Sequence, residues 1–155
     1  MYKIFKLTFA FTPFIWLTGC SWQEYFVILN ASPSAVTVQY TIAGVEKGFP
    51  IFTQQPVLYA LNTSNDINWH APQNAVDLDS SSTGLKIRIP ANYAIVLGAL
   101  NNDHYKAYNQ NFINARVFNL EELEVLRNDD TLSVLPTNFD AFFKKKAGQI
   151  ALEIK

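Results

Sequence analysis

Between Glu24 and Ile154 the chain is divided into short runs of β-branched and aromatic residues, each ended by Pro, Gly, Asn or Ser. Such punctuation excludes long helices and favours a layered β structure. Glu24 to Asn30 and Ala35 to Ile42 flank the turn-forming Asn30-Ala31-Ser32-Pro33-Ser34, and the second run alternates Val36, Val38, Tyr40 and Ile42 on one face, the period-2 pattern of a half-buried strand. Further strands are predicted at Phe49 to Thr53, Val57 to Leu61, Ile67 to His70, Lys86 to Ile89, Ala94 to Leu100 and Ala115 to Leu120. Leu123 to Arg127 and Thr131 to Leu135 read as a hairpin about Asn128-Asp129-Asp130, and Ile150 to Ile154 closes the chain. Pro50, Pro56, Pro72, Pro90, Gly44, Gly48 and Gly84 stand between these runs. The expectation is an all-β, immunoglobulin-like antiparallel β-sandwich.

One helix is predicted near the C-terminus. Thr137 is placed to cap it, Asp140 lies in its first turn, and Phe139, Phe142 and Phe143 supply an apolar face. Lys144 to Lys146 would then complement its negative end before Gly148 stops it. Asp79 to Thr83 reads as a loop.

The 155 residues are enough for one domain with a real core. A hydrophobic share of 49% argues against disorder. The single cysteine, Cys20, allows neither an internal disulfide nor a cysteine-rich zinc site.

Cys20 sits in a distinctive setting. Lys3 and Lys6 precede an uncharged run from Leu7 to Leu17, which ends in Leu17-Thr18-Gly19-Cys20. A run of about eleven residues is too short to span a bilayer, which takes roughly twenty, and a basic start before a short apolar stretch is the grammar of a signal peptide. The last four residues resemble the lipobox of bacterial lipoproteins: an aliphatic residue, two small residues and an obligatory Cys. That resemblance implies that residues 1–19 are a signal peptide cut off before Cys20, and that Cys20 carries the covalent lipid, diacylglyceryl on sulfur with acylation of the new amino group. The mature chain, residues 20–155, would then be a single β-sandwich domain anchored to the lipid bilayer of the bacterial cell envelope. Ser21 at the following position implies the outer membrane. Removing Lys3 and Lys6 takes the formal net charge from -1 to -3, a surface that does not attract nucleic acid. Trp22 and Tyr25 to Leu29 follow almost at once, leaving no long tether and holding the domain near the membrane.

Recognisable catalytic constellations are missing from the sequence. No Gly-x-Ser-x-Gly elbow or phosphate-cradling glycine pattern occurs. The pairs Glu121-Glu122 and Asp129-Asp130 read as solvated turn residues, and Asp77-x-Asp79 lacks the rest of a calcium loop. His70 and His104, the only histidines, are not spaced as ligands on one helical turn, so neither a metal nor another cofactor is predicted. Asn30-Ala31-Ser32 and Asn62-Thr63-Ser64 match the N-glycosylation pattern, which is incidental in a bacterial host.

The segment Asn101 to Asn111, with His104, Tyr105 and Tyr108, has the Tyr- and Asn-rich composition of loops that bind proteins or sugars. Trp69 and Tyr93 could extend such a face. Three readings follow. The first is a non-enzymatic binding or assembly module contacting another envelope protein or a glycan through Asn101, His104, Tyr105 and Tyr108. The second is a lipoprotein enzyme or metal carrier using His70 and His104. The third is a purely structural envelope protein.

Overall fold

The computed structural model describes residues 21–78, 84–127 and 130–155. Cys20 and the other residues of the predicted lipobox, Leu17, Thr18 and Gly19, lie outside that range, as do the predicted loop at 79–83 and most of the predicted turn at 128–130.

Two sheets carry the fold. The larger contains β1 (Gln23–Asn30), β4 (Phe52–Ala60), β5 (Gln73–Asn74), β7 (Tyr93–Asn101), β11 (Lys144–Lys146) and β12 (Gln149–Ile154), in the order β11-β12-β1-β7-β4-β5. The smaller contains β2 (Val36–Ile42), β6 (Leu85–Ile89), β9 (Leu120–Arg127) and β10 (Asp130–Val134), in the order β10-β9-β2-β6. A short parallel pair, β3 (Phe49–Pro50) with β8 (Arg116–Val117), bridges the loops at one end. Phe26, Ile28, Phe52, Ile95, Leu97 and Ile150 of the larger sheet meet Val38, Tyr40, Ile87, Ile89, Leu123 and Val125 of the smaller in one buried core. The chain is thus mostly β and sandwich-like, as its punctuation predicts.

The alternation of β1 explains its unbroken apolar run. Phe26 and Ile28 face the core between the sheets, while Val27 and Leu29 face outward into a second cluster with Ile67, Ala94 and Ala151. Both faces of β1 are covered, so both must be apolar.

Several expectations need correction. The sandwich is not wholly antiparallel: β12 lies parallel to β1, pairing Tyr25 with Gln149 and Asn30 with Ile154. That position at the flank of β1 lets Ile150, Leu152 and Ile154 reach the core. Ile67 to His70 is not a strand, because Asn62 accepts hydrogen bonds from the Ser64 and Asp66 amides at 2.9 Å each and folds the segment into a turn. Only Ile67 bridges to Leu61. Ala115 to Leu120 is interrupted, since Asn114 and Ala115 hold φ of 58° and 53° and turn the chain before β8.

The C-terminal helix is shorter than expected. It is a single turn, α1 (Phe139–Phe142), after a 3-10 turn at Pro136–Asn138, and Asn138 rather than Thr137 precedes it. Lys144 to Lys146 do not end a helix but form the edge strand β11, joined to β12 by a tight turn at Ala147 and Gly148 with φ of 48° and 78°. Two residues of positive φ match the right-handed twist of a hairpin. Aromatic packing stops the helix: Phe143 leaves helical geometry and stacks on Phe139, ring centres 4.1 Å apart.

Candidate functional site

The end of the sandwich at which β1 begins gathers the groups that chemistry could use. β1 starts there at Gln23 and β7 ends there at Asn101, so the chain leading from Cys20 and the predicted binding loop are neighbours. Phe26, Phe52, Tyr105, Phe118 and Phe139 fill the interior beneath them in edge-on and tilted contacts, arrangements worth about 0.5–1.5 kcal/mol per pair beyond burial.

Glu24 is the centre of the site. It points inward at the start of β1, buried to 3% exposure, where an unpaired carboxylate would be costly. Lys145 Nζ lies 2.6 Å from Oε1, and His104 Nδ1 lies 2.6 Å from the same oxygen. The Tyr105 amide donates to Oε2 at 2.8 Å. Burial alone pushes the Glu24 carboxyl upward, but the bonds from Lys145, His104 and the Tyr105 amide outweigh it and hold the group below its ordinary range. Asp103, also buried, accepts from the His104 amide at 2.7 Å and the Ile113 amide at 2.7 Å.

Trp22 completes the cluster from outside. Its indole stacks on His104 with ring centres 5.0 Å apart, its Nε1 donates to the Asp103 carbonyl at 3.3 Å, and the Asn102 amide donates to its carbonyl at 3.0 Å. One face of the imidazole is therefore covered by a side chain of the same molecule. The arrangement can fasten: it ties the first residues of β1, the 101–111 segment and β11 into one unit.

The predicted loop residues separate into different roles. Asn101 accepts from Gln23 Nε2 at 2.6 Å and belongs to the end of β7. His104 is exposed but paired with Glu24. Tyr105 faces inward, packs edge-on against Phe26 and donates its hydroxyl to Asp140 at 2.6 Å. Burial, and then the Asp140 carboxylate, push its hydroxyl far above the ordinary phenol range. Tyr108 rests half-buried on Phe118. Gln110 latches the segment by accepting from the Lys106 and Ala107 amides and donating to the His104 carbonyl. The segment is strapped to the body, and Tyr105 is a core residue.

Trp69 does not join this face. It packs on Tyr25 and Tyr59, and Tyr25 points to the opposite side of the sheet from Phe26. Tyr93, at the far end of β7, packs against the main core. His70 lies in the exposed turn after Asn68, whose side chain accepts its amide at 3.2 Å. Among the described residues no group of three or more His, Cys, Asp or Glu is placed to share a metal ion, and no helix is long and apolar enough to cross a membrane.

Sequence reading missed Glu24 and Lys145. A lone Glu opening an apolar strand gives a weak signal, and Lys145 is concealed in a run that reads as a helix end. An open groove of about 750 Å³ lies where β4 bulges away from β7, lined by Ile42, Val45, Phe49, Gln55, Val96 and Arg116. Compared with protein-family models, with curated proteins and with solved structures, the chain matches none.

Glu24 makes the fold pH-sensitive in a defined direction. With its folded-state pKa lowered, it contributes stability that is complete above its unfolded value near 4.5 and is lost as pH falls through the lower folded-state value. Urea midpoints measured from pH 7 to pH 3 should drop in that acid window. Glu24→Gln should lower the midpoint at pH 7 and flatten the drop; an equally steep profile in the variant would assign the acid sensitivity to other carboxylates.

Proposed function

We propose that the chain is a bacterial envelope lipoprotein, cut before Cys20 and acylated there, that displays its sandwich as a non-enzymatic binding or assembly module. The observation that carries this reading is the position of Leu17-Thr18-Gly19-Cys20 at the end of a short apolar run and two residues before a fixed body: Trp22 is already hydrogen-bonded to Asn102. Two or more acyl chains, at about 0.8 kcal/mol per buried methylene, hold such a body stably on a bilayer. Ser21 favours the outer membrane.

The immunoglobulin-like kind of sandwich is supported by the strand partners. The consecutive strands β1 and β2 lie in opposite sheets and pair with β7 and β9 respectively. Partner contact, with an envelope protein or a glycan, falls to exposed concave surface such as the β4 groove rather than to Tyr105, and a fold of this kind assigns no activity by itself.

Labelled palmitate supplied to a bacterial host, with intact-mass analysis of the product, tests the anchor. The native chain should take up label and begin at Cys20, while Cys20→Ala should take up none and keep residues 1–19. A native chain without label that retains residues 1–19 would remove the reading.

A further inference from the structure

Seven large apolar side chains stand exposed among the described residues, and four of them, Trp22, Phe49, Ile113 and Leu135, lie at the end of the sandwich where β1 begins. Scattered exposed apolar residues are ordinary, whereas a cluster at one place marks a surface that is covered.

Three of the four are linked through the residues that hold them. The Trp22 indole and the Ile113 amide both bond to Asp103. Directly after Ala115, β8 runs beside β3, where Arg116 lies over the Phe49 ring at 5.8 Å. Trp22 is 44% exposed, Ile113 57% and Phe49 61%. Their backbones are held: Trp22 by Asn102, Ile113 by Asp103 and β3 by β8. This is a rigid apolar rim.

The same end carries β11. Once Lys144 to Lys146 are a strand, their charge no longer has a helix end to complement, and all three are exposed beside the start of β1. Lys145 bonds to Glu24, and Lys144 donates to the Asp140 carbonyl at 2.7 Å. Acidic residues also lie at this end, Glu122 opposite Thr41 and Asp140 bonded to Tyr105, so net charge is not what would hold the surface.

We infer that this end of the sandwich docks on the headgroup layer of the bilayer, with Trp22, Phe49 and Ile113 at the depth where aromatic and aliphatic groups meet polar heads. The inference rests on the lipid-anchor reading proposed above. The occupant follows from where the chain goes: Ser21 leads directly back to Cys20, and a single residue between the acylated Cys20 and the fixed Trp22 spans at most about 3.5 Å per step. Trp is enriched at that depth because its ring is apolar and its N–H polar. The opposite end, with the 31–35 and 90–92 turns, then faces away from the membrane.

Trp22 reports on this directly. The chain has three tryptophans; Trp16 leaves with the signal peptide, and Trp69→Phe makes Trp22 the sole indole of the mature, acylated protein. Reconstituted into phosphatidylcholine vesicles carrying brominated acyl chains, that protein should show blue-shifted emission and lose most of its intensity relative to unbrominated vesicles. Phe49→Asp with Ile113→Asp, both at exposed positions, should restore emission while leaving the urea midpoint unchanged. An acyl-labelled, vesicle-bound protein with unquenched, water-like Trp22 emission would overturn the docking and leave the anchor standing. A reconstituted chain without acyl label would overturn the anchor itself, and the docking with it.

Discussion

Gly98→Ala is expected to destabilise the fold by more than about 4 kcal/mol, a cost reached only when a substitution meets structure that cannot yield. A Cβ built at Gly98 would stand 2.0 Å from the Ile51 carbonyl oxygen, 2.8 Å from its carbon and 3.1 Å from Phe52 Cα. These are backbone atoms, and the segment they belong to is clamped. The Ile51 amide donates to the Val117 carbonyl at 3.0 Å and also to Asn119 Oδ1 at 3.1 Å, and the Phe52 amide donates to the same Oδ1 at 2.8 Å. Movement of Ile51 would break those bonds and shift Phe52, which is 1% exposed in the aromatic core. Urea denaturation compares the variant with Gly44→Ala, whose Cβ meets nothing within 4 Å and should change stability by no more than about 0.5 kcal/mol. Equal midpoints for the two variants would show that β4 can give way at β7.

Asn119→Ala is the second large effect. Asn119 is 3% exposed. Besides accepting from the Ile51 and Phe52 amides, it donates through Nδ2 to the Phe52 carbonyl at 3.1 Å. It takes the place of a strand neighbour for Ile51 and Phe52, between the end of β3 and the bulge at Thr53 to Pro56 that follows the Phe52–Gly98 pair. Alanine leaves the amide and carbonyl of Phe52 without these partners in a dry interior, at about 1–3 kcal/mol for each buried group left unpaired. A loss of roughly 3 kcal/mol in urea stability is expected. Asn119→Asp should not recover it at pH 7, since the carboxylate still accepts from the amides but is a buried charge set against the Phe52 carbonyl. A loss below about 1 kcal/mol in Asn119→Ala would mean that water replaces the side chain.

Both effects meet near the groove of about 750 Å³ beside β4. Gly98 and Asn119 hold the backbone on which Phe49 and the β4 bulge are mounted, so milder substitutions there would disturb the same end of the molecule that carries Trp22 and Glu24.

Much of this was legible in the residues. Alternation in Val36, Val38, Tyr40 and in Leu123, Val125 marks strands whose buried faces are those found in the core, because side-chain direction along a strand has a period of two whatever the strand pairs with. The turn at Asn30 to Ser34 was legible for a similar reason: Asn30 and Ser32 bond to one another and to the Ser34 carbonyl, a local matter of short polar side chains.

Pairing and site were a different matter. Ile150 to Ile154 reads as a strand, but its parallel placement on β1 is decided by which flank of the larger sheet leaves space for Ile150, Leu152 and Ile154. Lys144 to Lys146 have a helix former's composition and a helix before them, and they became an edge strand because Phe143 stacks on Phe139 and turns the chain toward β12. Tyr105 has the look of a recognition residue in a polar loop, and only the space among Phe26, Phe118 and Phe139, with Asp140 positioned for its hydroxyl, drew it inside. Glu24, His104 and Lys145 are separated by 80 and 41 positions and become a cluster only when β1, β7 and β11 converge. The sequence by itself determined most of the strands and the Asn30 to Ser34 turn, since those depend on neighbours along the chain. The tertiary structure alone decided which strands pair, which aromatics are core and which charges meet, because each depends on space shared by segments far apart in the chain.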